Sequence, residues 1–261
     1  MRFVINAACV SDTGRIRKNN EDNFYFCGRC LPAIHSGTRN ILHFERNLRC
    51  REIMAVFDGM GGENFGEEAS YAAALQMKRK CCSVLGLLKN GKEFVSACIE
   101  SLNNAVVKKK KEYATDRMGT TLTMASFWEK GVWIGNLGDS RAYRLRGRKL
   151  EQLTIDHVVS VTSAHRRKAP LTQYLGIDPE ELLIEPHIAY FSLKDGDRFV
   201  LCSDGLTDML TENEISTLMQ QHADSASCAQ ALADAANEHG GRDNITVIVC
   251  SITEREGRYG R

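Results

Sequence analysis

The stretch VFDGMGGENFGEEAS, residues Val56 to Ser70, runs an apolar cluster into an aspartate and four glycines, and then turns acidic. Ile53, Met54, Val56 and Phe57 predict a β-strand closed by the Asp58-Gly59 turn. Glu67 and Glu68 fall at the start of a helical pattern, where acids favour the positive end of the helix dipole. Glycine-rich loops cradle nucleotide phosphates in many enzymes, so this loop poses a choice between a phosphate site and a metal site. Signatures for a phosphate site are missing. There is no G-x-x-x-x-G-K-[ST], Asn64 stands where the third glycine of G-x-G-x-x-G belongs, and kinase H-R-D and D-F-G elements are absent.

The chain has 261 residues, 43% hydrophobic and 26% charged, which suits one large α/β or α+β domain with a real core. We expect a single domain over 1–254 and a short tail at 255–261. A formal net charge of +1 gives no bulk electrostatic reason to expect a nucleic-acid partner. No apolar run approaches the ~18 residues of a membrane span, and the apolar stretch after Arg2 is too short for a secretory signal. Ten cysteines are scattered through strand and helix patterns, a usage that suits a reducing cytoplasm. Cys27 and Cys30 form a lone C-x-x-C, which reads as two thiols at a strand end rather than half of a metal or redox site.

Strands are predicted at FVINAACV and NFYFCG, and the polar segment 29–51 reads as a long surface connection or ragged hairpin. Helices are expected over Glu67–Leu88 and Lys92–Ala114, the second from the spacing of Phe94, Val95, Cys98, Ile99, Leu102, Ala105 and Val106. The run Lys108–Lys111 reads as a solvated helix end, where cations favour the last carbonyls. TTLTMASFW, GVWIGNLGD, RAYRLRG and KLEQLT are spaced as an antiparallel meander. HIAYFSL and DRFVLCSDG follow, then helices near Glu212–Gln221 and Ser225–Glu238, then the strand NITVIVCSI. Strands segregated from helix pairs argue for an α+β fold.

The chemical signal is repetition. Apolar strands run into Asp58, Asp139 and Asp204, Asp243 stands just before the last strand, and Glu21 and Asp22 fill an earlier polar turn. One Asp-Gly turn needs no functional account. Several carboxylates at the ends of buried strands do, because each costs desolvation unless a cation or donor meets it. Carboxylate and carbonyl oxygens suit Mg²⁺ or Mn²⁺, whereas the seven histidines do not cluster with these motifs as zinc would require. Two such ions would activate a bridging water for in-line attack on phosphorus, and Arg17 would clamp the phosphate oxygens.

The blocks RIRKNNED, VFDGMGG…GEEAS, MGTTLT, GNLGDSRAYRLR, LTIDH, VLCSDGLTDML and GGRDNITVIV occur in this order between about Arg2 and Ile252. Together they resemble the metal-dependent PPM (type 2C) family of protein serine/threonine phosphatases, in its compact bacterial form. The resemblance implies a four-layer α-β-β-α sandwich of two antiparallel sheets flanked by helix pairs. It implies that Asp58 bridges two metals, that the Gly59 carbonyl joins the second ion, and that Asp204 and Asp243 complete the first. Glu21 and Asp22 match the acidic pair serving the second metal, Asp139 the ligand of a third, weaker ion in bacterial relatives, and Arg17 the phosphate-binding arginine. Asn244 is expected to support the site by hydrogen bonding.

Departures are visible too. Met60 stands where animal members carry a histidine proposed as general acid, which leaves protonation of the leaving group to water. The region Val158–Pro170, with His165, Arg166, Arg167 and Lys168, is shorter than the usual bacterial flap. The expected activity is hydrolysis of phosphoserine and phosphothreonine in proteins with Mn²⁺ or Mg²⁺, by a cytoplasmic monomer opposing a cognate Ser/Thr kinase. Three rivals share features of the sequence: a phosphatase of an anti-anti-sigma-type regulator, a metal-dependent phosphodiesterase or nuclease, and a non-catalytic binding module.

Overall fold

A computed structural model describes residues 2–61, 65–81, 91–159 and 169–255. Glu63 and Asn64 of the glycine loop, Cys82, the helix end expected up to Leu88, the basic run from His165 to Lys168 and residues 256–261 of the tail lie outside the described residues. The elements run β1 (Arg2–Asp12), β2 (Asp22–Phe26), β3 (Leu42–Asn47), β4 (Glu52–Met60), α1 (Phe65–Cys81) and α2 (Gly91–Glu112). Then come β5 (Gly119–Thr120), β6 (Leu122–Trp128), β7 (Gly131–Leu137), β8 (Arg141–Arg146), β9 (Lys149–Gln152), β10 (His187–Ser192) and β11 (Arg198–Cys202). The chain closes with α3 (Asp204–Thr207), α4 (Glu212–Gln221), α5 (Ser225–Glu238) and β12 (Ile245–Arg255).

The first sheet has the order β3-β1-β12-β11-β8-β9 and the second β10-β7-β6-β4-β2, with β5 paired to β4. Ile5, Cys9, Ile248 and Cys250 of the first face Phe24, Met54, Val56 and Ile134 of the second across a shared core. Phe127 and Phe199 meet edge to face there, with centroids 5.3 Å apart. Ala8, Val10, Val247 and Val249 point the other way, onto Ile215, Met219, Leu232 and Ala236 of α4 and α5. On the opposite side α1 and α2 cover Ala55, Phe57 and Met124 with Ala73, Met77, Ile99 and Leu102. The result is the expected α-β-β-α sandwich. β1 reads as a continuous apolar run because both of its faces are buried, and a slip of one residue would exchange the two sets against different layers.

Three expectations change on folding. The four closely spaced strands do not form one meander. β6 and β7 pair in the second sheet, β8 and β9 in the first, and the chain crosses between sheets at Gly138–Ser140. Gly138 takes φ +102° at that crossing, and a Cβ there would lie 2.7 Å from the Thr121 methyl. The 29–51 connection contributes an edge strand, β3, which pairs with β1 in register Ala7↔Phe44. The lysines ending α2 are more than a solvated run: Lys109 pairs with Glu68 at 3.2 Å and Lys111 with Asp178 at 2.8 Å, tying α2 to its neighbours. The C-x-x-C pair diverges, as Cys27 packs on the core between the sheets and Cys30 on the core under α1 and α2.

Candidate active site

The acidic residues gather where several strands end on one rim of the sandwich. Pairing of β2 with β4 sets Asp22 directly opposite Asp58, a separation of roughly 5 Å between Cα atoms. The start of β12 brings in Asp243 and Asn244, and the end of β11 brings in Asp204 through Ser203. Ser203 donates its Oγ–H to Asp22 Oδ2 at 2.7 Å, and its backbone N–H bonds Thr246 at 3.1 Å. Gly205 lies so close to Asn244 that a Cβ would stand 2.0 Å from its carbonyl oxygen. Asp204, 3% exposed, is thereby packed between the Asp22 strand and the Asp243 turn.

Asn244 is the clamp of this rim. Its Nδ2 donates to the carbonyls of Thr13 and Asn19 at 2.8 and 2.9 Å, and its Oδ1 accepts from Glu21 N–H at 2.8 Å. All the hydrogen-bonding groups of that side chain are spent on the 13–21 loop, which carries Arg17 and Glu21. Arg17 Nη2 meets Asp243 Oδ2 at 2.8 Å, with the arginine side chain 48% exposed. That hydrogen bond raises the arginine above its ordinary value, with Glu21 and Asp58 adding to the pull. Burial first, and then the charge of Asp58, push Asp22 well above the usual carboxylate range. Glu21 rises for the same first reason, with Glu67 as its next cause.

This donor set fits hard divalent cations. It is all oxygen, burial first holds back the ionised forms of Asp22 and Glu21, and among the described residues its cationic partner is a half-exposed arginine. The chain also makes room for main-chain oxygen: at Gly59 a Cβ would sit 2.2 Å from the Gly66 carbonyl and 2.5 Å from that of Glu21. Among the described residues, no three Asp, Glu, His or Cys side chains converge tightly around one point. Arg17 on Asp243 and Ser203 on Asp22 hold carboxylate oxygens that a cation would compete for, and the donor chemistry outweighs that looser spacing.

Asp139 stands at the crossing between the sheets. Thr121 joins Asp58 to the residue after Asp139: its Oγ1 accepts from Asp58 N–H at 3.0 Å and lies 2.7 Å from Ser140 Oγ. Gly138, just before Asp139, donates its N–H to His157 Nδ1 at 3.2 Å and accepts from His157 N–H at 2.9 Å. The histidine of LTIDH therefore fixes the approach to Asp139, with burial lowering its pKa.

Several of these residues escaped the sequence reading. Thr121, Ser203, His157 and Asn19 act through bonds to residues distant in sequence, which no local pattern reveals. Glu67 was legible in part: it shares the stripe of Ser70, Ala74 and Met77, buried positions of α1, whereas Glu68 does not. Cys9 and Arg15 have the C-x₅-R spacing of a cysteinyl phosphatase. Cys9 is wholly buried within β1 and burial pushes its thiol well up, so it cannot serve as the nucleophile.

The sequence pattern of the family described as Protein phosphatase 2C matches residues 39–239. The chain is 32% identical to the serine/threonine phosphatase stp of Listeria monocytogenes serotype 4b, covering 94% of this chain and 95% of that protein. It is 28% identical to the protein phosphatase PhpP of Streptococcus pneumoniae, over 95% and 97% of the two chains. Among solved structures it is similar to the Mycobacterium tuberculosis serine/threonine phosphatase PstP/Ppp, with a TM-score of 0.77, 27% identity and coverage of 96% and 100%. The PstP catalytic domain in complex with two manganese ions superposes with a TM-score of 0.76 at 27% identity, over 97% and 100% of the chains.

Proposed function

This chain belongs to the protein phosphatase 2C family, and from that premise we propose how its own residues carry the activity. The enzyme is a metal-dependent serine/threonine protein phosphatase that hydrolyses phosphoserine and phosphothreonine in proteins. Two Mn²⁺ or Mg²⁺ ions are its cofactors; when bound, they supply Lewis acidity and lower the pKa of a water for in-line attack on phosphorus. Asp58, Asp204 and Asp243 hold the ions, with Asp22, Glu21 and the Gly59 carbonyl serving the second and Asp139 a third, weaker one. Arg17 turns its guanidinium to the phosphate oxygens, a geometry suited to bidentate contact. Asn244 keeps the loop bearing Arg17 in place. Met60 has no proton to give, so the leaving serine or threonine oxygen takes its proton from solvent.

One observation carries this reading: Asp22 lies opposite Asp58, Arg17 pairs with Asp243, and Asn244 holds the N–H of Glu21, so residues far apart in sequence share a single rim. Phosphorylated proteins are the substrates, and a Ser/Thr kinase acting on the same proteins is the natural opponent. The protein acts as a monomer in the cytoplasm; the cysteine usage supports the location, every described cysteine being a free thiol. No described helix is long and apolar enough to cross a membrane.

The test is hydrolysis of phosphoserine and phosphothreonine peptides, a phosphorylated anti-anti-sigma-type regulator and DNA, each with Mn²⁺ or with EDTA. Hydrolysis of the peptides only with Mn²⁺, lost in Asp58→Ala and Asp204→Ala while the circular dichroism is kept, is the expected result. Full activity of either variant would overturn the metal assignment, and cleavage of DNA would move the enzyme to another class.

A further inference from the structure

Glu67 is a buried acid that the chemistry above leaves unused. It lies in the first turn of α1 and is 7% exposed. A role with the helix dipole does not explain that burial. Glu68, its neighbour on the same turn, meets the same dipole from a side chain 24% exposed and paired with Lys109. Glu67 Oε1 accepts from Asn19 Nδ2, while its Oε2 is buried and takes no hydrogen bond from the described residues. A buried carboxylate oxygen in that condition costs free energy unless a positive charge or a donor meets it.

Its surroundings say which. The same Asn19 amide also reaches Glu21 Oε1 at 3.4 Å. Glu21 lies against the residue preceding Glu67, since a Cβ on Gly66 would stand 2.4 Å from Glu21 Oε2. Two carboxylates thus share one neutral amide, and the charge of Glu67, after burial, raises the pKa of Glu21. Among the described residues no lysine or arginine pairs with Glu67, and Arg17 is committed to Asp243. An arrangement of two acids around one amide is short of positive charge, and its Glu21 directly precedes Asp22 of the Asp22–Asp58 pair.

We propose that Glu67 and Glu21 form a carboxylate pair that holds the hydration shell of a divalent cation at the flank of the metal centre, with Asn19 setting their spacing. The inference rests on the binuclear reading above and adds to it a residue outside the metal aspartates. Mg²⁺ and Mn²⁺ keep several of their waters in such sites, and carboxylates beyond the inner ligands orient those waters.

The experiment is Mn²⁺ titration of the purified metal-free protein, by calorimetry and by electron paramagnetic resonance of unbound Mn²⁺, with thermal melts in EDTA alongside. Glu67→Gln removes the charge and keeps the shape. The weaker Mn²⁺ should lose affinity by about 10-fold or more, the tighter one should be unchanged, and the melting temperature in EDTA should hold or rise because a like charge beside Glu21 is gone. Glu68→Gln should bind Mn²⁺ as the wild type does. Glu67→Asp, which keeps the charge and shortens the reach, should weaken the same Mn²⁺ and serves if Glu67→Gln does not fold. Wild-type Mn²⁺ affinity in both Glu67 variants overturns the proposal. Asp204→Asn separates the two levels of the argument: loss of tight Mn²⁺ there with unchanged Glu67 variants sinks the Glu67 pair alone. Wild-type Mn²⁺ binding in Asp204→Asn sinks the centre itself.

Discussion

Replacing Gly59 by alanine adds one methyl group at the point where three segments of backbone meet. The new Cβ would lie 2.2 Å from the Gly66 carbonyl oxygen and 2.5 Å from that of Glu21, against an ordinary contact of 3.4 Å or more. Both obstacles are main chain, so the start of α1 and the Glu21 turn must part from β4 by about an ångström. Overpacking of this kind costs about 1–3 kcal/mol, and at about 2–4 °C per kcal/mol for a chain near this size the melt should fall by roughly 2–12 °C. Activity should suffer more than stability, because the displaced atoms belong to Glu21 and Gly59 and flank Asp58. A misplacement of about 1 Å in a catalytic constellation costs about 10²-fold, or about 2.7 kcal/mol in the barrier. The control is Gly147→Ala in the β8–β9 turn, where φ is +61° and a Cβ meets nothing within 4 Å. Left-handed strain there should cost about 1–2 kcal/mol and leave kcat/KM alone. Phosphopeptide hydrolysis at saturating Mn²⁺, measured well below both melting temperatures, decides the matter. Wild-type kcat/KM in Gly59→Ala, or equal losses in the two variants, would refute the claim that the close approach at Gly59 shapes the site.

Other expectations follow from separate parts of the molecule. Arg17→Ala should raise KM more than it lowers kcat, with a loss in kcat/KM near the value of a charged hydrogen bond, about 1.5–3 kcal/mol; an unchanged KM with a low kcat would contradict phosphate binding. Asp197 is wholly buried and accepts two bonds of 2.6 Å from Arg146, which also reaches the Ser192 carbonyl across the sheets. Asp197→Asn should cost about 3 kcal/mol, the low end for a buried pair because Arg146 is 31% exposed, without changing kcat at 25 °C; a loss below about 0.5 kcal/mol, as for a surface pair, would count against it. Burial lowers the pKa of His157, so the folded state resists a proton that the unfolded chain accepts near about 6.5. Its contribution to stability is then full above that value and lost as pH falls through it. The stability of the wild type relative to His157→Asn, measured by urea unfolding in EDTA, should therefore shrink between pH 7.5 and 5.5, and a constant difference would speak against a neutral, half-buried ring.

Much of the architecture was legible because apolar periodicity is a local signal. The spacing of Phe94, Cys98, Ile99 and Leu102 announces a helix face whatever that face meets, and α4 and α5 begin and end at their polar boundaries. The aspartates of the rim were legible as a type: each ends or precedes a buried strand, where an unmet carboxylate is costly. Met60 in place of a histidine is likewise a matter of sequence alone.

Partners are another matter, since they are chosen by packing between residues far apart in the chain. The turn at Gly138–Ser140 looks like any hairpin, yet the chain changes sheets there, because β8 finds β11 rather than β7. Cys27 and Cys30 are neighbours in sequence, but the tight turn after β2 sends them to different cores. Glu67 and Glu68 are the same residue type on the same helical turn. Rotation by one residue buries the first beside Glu21 and leaves the second to Lys109. Sequence settled which residue types this enzyme has for metal and phosphate; only the tertiary structure decided which of them share a surface, because charge repulsion, burial and hydrogen bonding act across distances in space that sequence order does not record.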